Sequence, residues 1–265
     1  MTRANVMRRP RTARLGRTRP WWILPVAAGV VAAAVLWPHD DRTPPQPAPH
    51  QALTEVQRVR LAAPTGPRTV KEDLCMVEVI DQSSSMADAD PHSLRATAVG
   101  AVADWLGRYG QPGDRLGVVW FADTTLTFPP VPARGDPASL QVAAQDPGSS
   151  VGGSTNMVKA LEDAAALLRT CPSGSRPSMV IISDGVVDAT TPLRELLDQA
   201  PSGTRVHLVA MDVDGAYSAG AYQLWESPAV GLASVQRVAA VDAKGVTDPA
   251  AFILGQETGQ HVEQA

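Results

Sequence analysis

Beyond residue 73, short apolar runs alternate with segments whose apolar residues recur at helical spacing. The runs predict β-strands at residues 74–80, 116–121, 124–128, 179–182 and 206–211, and the spacing predicts helices at residues 91–106, 157–168, 192–197 and 248–256. Such alternation is typical of a mainly parallel sheet covered by helices on both faces. The pattern therefore predicts a doubly wound α/β fold. Residues 212–245 show no clear period, and we assign them only as loop with some helix.

A second apolar run lies near the start of the chain, at residues 21–37, and contains no charged residue. As a helix it would span about 25 Å, at the short end of what crosses a bilayer. Tryptophans at both of its ends suit the membrane interfaces, and the arginine-rich residues 1–20 should stay in the cytoplasm. We therefore expect a transmembrane helix with the rest of the chain outside. A cleaved signal peptide and a buried core helix fit the flanking residues less well.

The segment between this run and the main domain, residues 38–69, is rich in proline and favours an extended stalk. Residues 70–265 leave room for one α/β domain of about 190 residues. The net charge of -4 conceals an arginine-rich first segment. Because that segment directly precedes the apolar run, a topological role is favoured over binding to nucleic acid.

The chain contains two cysteines, Cys75 and Cys171. Export from the cytoplasm would permit a disulfide between them. Two small, buried apolar side chains are an equally acceptable interpretation, because the sequence alone carries no geometry.

Three polar clusters follow predicted strands or precede a predicted helix. They are Asp81-Gln82-Ser83-Ser84-Ser85, Gly152-Gly153-Ser154-Thr155-Asn156 and Ser183-Asp184-Gly185. In an open parallel sheet, ligands gather at the carboxyl ends of the strands. Carboxylate and hydroxyl oxygens are hard ligands that select a hard cation such as Mg²⁺. The candidate metal ligands are Asp81, Ser83, Ser85, Thr155 and Asp184.

At these clusters the chain resembles the von Willebrand factor type A (VWA) domain and its metal-ion-dependent adhesion site. That site uses Asp-x-Ser-x-Ser, a later Thr and a later Asp, and residues 81–85, 153–156 and 183–185 match these elements in order. The resemblance covers about residues 72–212. Residues 257–260 are similar to the family's closing turn from helix to strand.

The resemblance implies a six-stranded, mostly parallel, Rossmann-like sheet in which the first strand lies beside the strand ending at Asp184. The two cysteines would then lie near each other, which favours the disulfide. It also implies that Ser83, Ser85 and Thr155 contact Mg²⁺ or Mn²⁺ through their hydroxyls, while the carboxylates act directly or through water. A cation held mainly by neutral oxygens keeps much of its charge, so an acidic group of a partner can complete its shell.

Other interpretations of the same residues explain less. Helix caps and turns use Asp, Ser and Thr, but they do not account for three matched loops. Phosphotransfer on Asp81 would require a second acid two residues later, where Ser83 stands. The sequence also lacks the glycine motifs that bind nucleotide phosphates. We therefore expect a protein that is not an enzyme.

The expected function is a membrane-anchored, extracytoplasmic binding or adhesion module that captures an acidic group of a protein partner through the metal. The alternative is a structural component of an envelope complex whose metal site is dispensable or degenerate. Glu78 is unexpected in a central strand and either pairs with a buried base or faces an irregular helix. For Trp225 and Tyr222, packing over the sheet edge is favoured over a partner surface.

Overall fold

The computed structural model describes residues 60–185, 192–211, 224–238 and 242–265. The strands in these ranges are β1 (Leu74–Asp81), β2 (Arg115–Phe121), β3 (Thr125–Pro132), β4 (Arg176–Ser183), β5 (Arg205–Met211) and β6 (Ser234–Val238). The helices are α1 (Met86–Ala89), α2 (Leu94–Tyr109), α3 (Pro137–Ala143), α4 (Met157–Leu168), α5 (Leu193–Leu197) and α6 (Ala243–Thr258). The predicted basic segment and transmembrane helix lie outside the described residues. Within the described ranges, no helix has both the length and the apolar character that crossing a bilayer requires.

All six strands form one sheet in the order β3-β2-β1-β4-β5-β6. Strand β3 is antiparallel to β2, and every other neighbouring pair is parallel. The sheet confirms the predicted α/β fold with six mostly parallel strands. Strand β6 falls in the segment that the periodicity left unassigned, because polar residues interrupt its short apolar pattern.

The helices cover both faces of the sheet, and alternate residues of β1 enter the two cores. Met76 and Ile80 pack with α2, α3 and α6 on one face. Val77 and Val79 pack with α4 and α5 on the other face. Because side chains alternate along a strand, Glu78 points into the first of these cores.

Two helices begin several residues away from the positions that the sequence predicts. Helix α2 begins at Leu94, because the Asp90 carboxylate accepts hydrogen bonds from the backbone N–H groups of Leu94 (2.8 Å) and Arg95 (2.9 Å). The residue at the N-cap position is Ser93, and the helix starts three residues after Pro91, so Asp90 binds the first turn without being the N-cap residue. Helix α6 begins five residues before residue 248, because the Asp242 carboxylate caps it by accepting a hydrogen bond from the Gly245 backbone N–H (2.6 Å). The helix accommodates Pro249 in its interior.

The carboxyl end of α6 is held by a buried acid. The Glu257 carboxylate, which is fully buried, accepts hydrogen bonds from Arg176 Nε (3.1 Å), Arg205 Nε (2.6 Å) and His207 Nε2 (2.9 Å). Burial raises the pKa of Glu257, but the hydrogen bond from His207 and the nearby positive charges outweigh it and hold the pKa below its usual value. The Glu257 cluster therefore ties α6 to β4 and β5 near the strand ends where these strands begin.

The first described residues run antiparallel to the last residues of the chain. Isolated bridges join Leu61 to Gln264 and Thr65 to His261. The Trp105 indole N–H donates to the carbonyl oxygen of Ala62 (3.0 Å) and fixes the segment against α2. Residues 60–69, which the sequence pattern assigns to the stalk, therefore pack against the domain.

Cys75 and Cys171 form a disulfide with a Cα–Cα distance of 6.1 Å. The bond joins the start of β1 to the turn that follows α4. The structure thus resolves the two interpretations that the sequence left open, in favour of the disulfide.

Candidate metal centre

The candidate site lies where β1 and β4 end side by side. The two strands are parallel neighbours, with Ile80 opposite Ile182. The Asp81 carboxylate accepts a hydrogen bond from Ser183 Oγ (2.6 Å) on one oxygen and from the Ser83 backbone N–H (2.8 Å) on the other. These bonds fix the first candidate ligand at the carboxyl edge of the sheet.

The electrostatics of Asp81 favour a cation at this place. Burial raises the pKa of Asp81, the hydrogen bonds from Ser183 and Ser83 oppose that rise, and the negative charge of Asp184 adds to it. The net effect is a raised pKa. Both carboxyl groups are nearly inaccessible to water, with Asp81 at 0% and Asp184 at 7% exposure. Two neighbouring buried carboxylates repel each other, and a cation between them would relieve that repulsion.

Two hydroxyl groups lie in the loop that follows β1, residues 82–85, which we call the first loop. They have the spacing of adjacent metal ligands. Ser83 Oγ and Ser85 Oγ are 3.1 Å apart. Adjacent oxygens around an octahedral Mg²⁺ with bonds of about 2.1 Å are separated by about 3.0 Å. The donor types and their spacing therefore fit a hard cation.

The second loop, residues 152–156, lies just before α4. Backbone hydrogen bonds join it to the first loop. The Ser84 backbone N–H donates to the Gly153 carbonyl oxygen (2.8 Å), and the Asn156 backbone N–H donates to the Ala122 carbonyl oxygen (2.8 Å) just after β2. These bonds bracket Thr155, whose side chain is exposed, and hold it in the loop beside residues 83–85. The backbone thus joins the loop of Thr155 to the loop of Ser83 and Ser85.

Asp123 organises the second loop, although the sequence pattern did not single it out. Its carboxylate accepts hydrogen bonds from the Ser154 hydroxyl and from the backbone N–H groups of Gly153 (3.0 Å) and Ser154 (2.9 Å), and these bonds lower its pKa. Gly152 lies against the Asp123 carboxylate and has a φ of +97°. A side chain at position 152 would clash with that carboxylate. Asp123 follows β2, so the strand-end rule that selected the other clusters applied to it as well.

The third polar cluster, Ser183-Asp184-Gly185, is held by a hydrogen bond from Trp225. The Gly185 backbone N–H donates to Ser183 Oγ (2.8 Å), and the Gly185 carbonyl oxygen accepts from the indole N–H of Trp225 (3.2 Å). Trp225 is fully buried, which confirms packing as its role. Tyr222 lies outside the described residues.

The five candidate ligands include only two carboxylates. Within the described ranges, no group of three or more His, Cys, Asp and Glu side chains could hold a metal ion. A metal at this edge would therefore depend on serine and threonine hydroxyls, and metal binding stays a prediction.

Comparison with known families agrees with this arrangement. Residues 76–186 match the von Willebrand factor type A domain. Over these residues the chain is similar to that family. The matched residues run from β1 past Asp184, and so include all five candidate ligands. No curated protein sequence matches the chain.

Solved structures with a similar fold include pilus proteins and a conserved hypothetical protein. The pilus adhesin SpaC from Lactobacillus rhamnosus GG has a TM-score of 0.55 and 15% identity over 74% of this chain and 31% of its own length. BatB from Bacteroides thetaiotaomicron has a TM-score of 0.51 and 16% identity over 68% of this chain and 98% of its own. The PilB minor pilin from Streptococcus sanguinis has a TM-score of 0.51 and 13% identity over 72% and 63%. At these identities the similarity between each of these structures and this chain is one of fold. The chain spans about a third of the length of SpaC.

Proposed function

We propose that the chain is a membrane-anchored, extracytoplasmic binding module whose VWA domain captures an acidic group of a partner protein through Mg²⁺ or Mn²⁺. Asp81, Ser83, Ser85, Thr155 and Asp184 would hold the metal. The observation that carries the proposal is the pair of hydroxyls 3.1 Å apart beside two buried carboxylates at one edge of the sheet.

The protein's own residues supply a prepared site. Ser183 and the Ser83 backbone orient Asp81, while the backbone bond from Ser84 to Gly153 sets the distance between two of the loops. When bound, the metal supplies positive charge that hydroxyl ligands leave uncompensated. A carboxylate of a partner is attracted to that charge. The proposed role is binding, because the candidate ligands do not include the paired nucleophile and base that a hydrolytic site requires.

Two further observations support an envelope location. The disulfide between Cys75 and Cys171 is typical of proteins that fold outside a reducing cytoplasm. SpaC, which has a similar fold, is a pilus adhesin. The proposed anchor is the apolar run at residues 21–37, with its arginine-rich flank on the cytoplasmic side.

A second candidate function is assembly of an envelope complex without a required metal. The observation that favours it is the similarity in fold to a minor pilin. In this case the same loops would contribute contacts to a neighbouring subunit, and the hydroxyls of Ser83 and Ser85 would act only as turn-forming groups.

Replacing Asp81 with alanine distinguishes the two functions. We expect the wild-type chain to bind Mn²⁺ in a calorimetric titration and the Asp81→Ala variant to lose that binding. Ser84→Ala is the matched control, because Ser84 lies in the same loop but its exposed side chain is not a candidate ligand. Thermal unfolding of each variant checks that the fold is retained.

The partner is tested with the same proteins. Capture of an envelope protein should require Mg²⁺, stop in the presence of chelator, and be lost in Asp81→Ala but not in Ser84→Ala. Equal capture by the wild type and by a folded Asp81→Ala variant would contradict the metal-dependent function and support the assembly role.

A further inference from the structure

Glu78 is a buried acid in the middle of β1. Its side chain is 2% exposed, and Oε2 has no hydrogen-bond partner in the described part of the chain. Burial raises the pKa of Glu78 to about 8. At neutral pH this carboxyl group is therefore mainly protonated and uncharged, which makes its position in an apolar core tolerable.

Arg95, in the first turn of α2, is another buried polar group on this side of the sheet. It is 4% exposed, and its Nη1 donates to Asp90 Oδ2 at 2.8 Å. Its Nη2 donates to the side-chain oxygen of Gln82. Its Nε has no partner among the described residues. One N–H of this guanidinium group therefore lacks an acceptor.

The two groups line the same internal cavity. Its volume is about 20 Å³, which is enough for one water molecule. The lining segments of β4, β5 and α6 contribute only uncharged side chains, including Val180, Met211 and Leu254. Arg95 is therefore the one charged group that shares the described cavity wall with Glu78. A water lying between them would accept from Arg95 Nε and donate to Glu78 Oε2, and so satisfy both unpaired atoms.

The hydrogen bonds of Arg95 lead from this cavity to the candidate metal centre. Gln82 lies between Asp81 and Ser83 in the first loop. Its side-chain oxygen accepts from Arg95, and its side-chain nitrogen donates to Asp146 Oδ1 at 2.5 Å. Both ends of the Gln82 amide are therefore fixed, and one of them depends on the position of Arg95.

We propose that one buried water joins Glu78 to Arg95, and that this chain of contacts positions Gln82 and the loop that carries Asp81, Ser83 and Ser85. The water site stands independently of the proposed function, whereas the effect on metal affinity rests on it. Glu78 and Arg95 are positioning residues in this proposal.

Ionisation of Glu78 supplies a pH-dependent consequence. A carboxylate in this apolar cavity attracts the Arg95 guanidinium group more strongly than the neutral amide of Gln82 does. Arg95 then moves from Gln82 towards Glu78, and the first loop loses a charge-assisted hydrogen bond. The lost bond corresponds to about a tenfold or larger decrease in metal affinity as the pH rises through about 8.

Two substitutions of Glu78 separate this mechanism from a packing effect. Glu78→Gln keeps the shape and the hydrogen bonding but stays neutral at every pH. Glu78→Leu keeps the bulk but removes the hydrogen bonding. The full chain in detergent is titrated with Mn²⁺ between pH 6.5 and 9, and the infrared band of the protonated carboxyl group is followed over the same range.

We expect wild-type affinity to fall across this range, Glu78→Gln to keep the neutral-pH affinity throughout, and Glu78→Leu to bind at least tenfold more weakly at every pH. The infrared band should disappear above pH 8 in the wild type and be missing from both variants. Equal pH dependence in wild type and Glu78→Gln, or wild-type affinity in Glu78→Leu, would overturn the positioning role.

A high-resolution crystal structure tests the water site independently of metal binding. If the wild type binds no Mn²⁺ at any pH, the metal function is refuted, and electron density then decides the water site. Density for a water between Glu78 Oε2 and Arg95 Nε, lost in Glu78→Leu, would support the chain of contacts. An empty cavity in the wild type would overturn it.

Discussion

Breaking the disulfide between Cys75 and Cys171 should lower the free energy of unfolding by about 4.7 kcal/mol. The bond joins residues that are 96 positions apart. In the unfolded chain it closes a loop of about a hundred residues, and the loss of chain entropy in such a loop amounts to about 4.7 kcal/mol at 25 °C. The closed loop contains β1, β2, β3 and α4, so the constraint acts on half of the sheet.

Comparing oxidised with reduced wild-type protein isolates the effect of the crosslink, because both contain the same atoms except for the two thiol hydrogens. The double variant Cys75→Ala/Cys171→Ala adds the effect of lost packing, since Cys75 is fully buried in β1. The difference between reduced wild type and the double variant then measures packing alone.

Urea unfolding, followed by the near-ultraviolet circular dichroism of the buried tryptophans Trp105, Trp120 and Trp225, provides the measurement. With a urea dependence of about 2 to 3 kcal/mol per molar, the midpoint should fall by about 2 M on reduction. Identical midpoints for the oxidised and reduced proteins would refute the reasoning. The unfolded chain would then be as constrained without the bond as with it.

Two further predictions follow from the described contacts. Glu257→Gln removes the negative charge that binds two arginines and a histidine, and urea unfolding at pH 7 should show a loss of about 2 kcal/mol, the size of a hydrogen bond to a charged group. Because the folded pKa of Glu257 lies below 4.5, this contribution is present above pH 4.5 and disappears as the pH falls through the folded pKa, so the wild type and variant should converge in acid. Gly152→Ala should weaken Mn²⁺ binding at least tenfold, because its side chain would displace the Asp123 carboxylate that holds the second loop. Gly148→Ala, with a φ of +60° but open space around it, is the control, and equal affinities in these two variants would contradict that role of Asp123.

The strands that contain long apolar runs could be predicted from the sequence. β1, β2, β4 and β5 are almost entirely buried, so their composition alone marks them. β6 and α3 could not be predicted in this way. β6 is only partly buried, and α3 is a single short helix whose signal is local, consisting of Asp136 as its cap and a proline at its first position.

The candidate ligands were predictable because they lie in strand-end loops, and the position of Asp123 after β2 carried the same signal, but the contacts that the supporting residues make were not predictable. Asp123 lies 30 residues before Gly153, and Trp225 lies 40 residues after Gly185. Such pairs meet only when the sheet order is known. The same limit applies to Glu78, whose environment depends on a helix that begins at Leu94 and on the cavity beneath α6.

The pairing of the first described residues with the end of the chain has a mechanical consequence. A pull on the chain at residue 60 would load the backbone bond from Ala265 to Arg60 first, then the bond between Ala62 and Glu263, then the bond between Thr65 and His261. Bonds that break one after another yield at lower force than bonds loaded together. Unpairing residues 60–70 would add about 35 Å of extended chain before the load reached β1. Unpairing of this segment would therefore take up extension before force reached the sheet and the loops at the carboxyl ends of its strands.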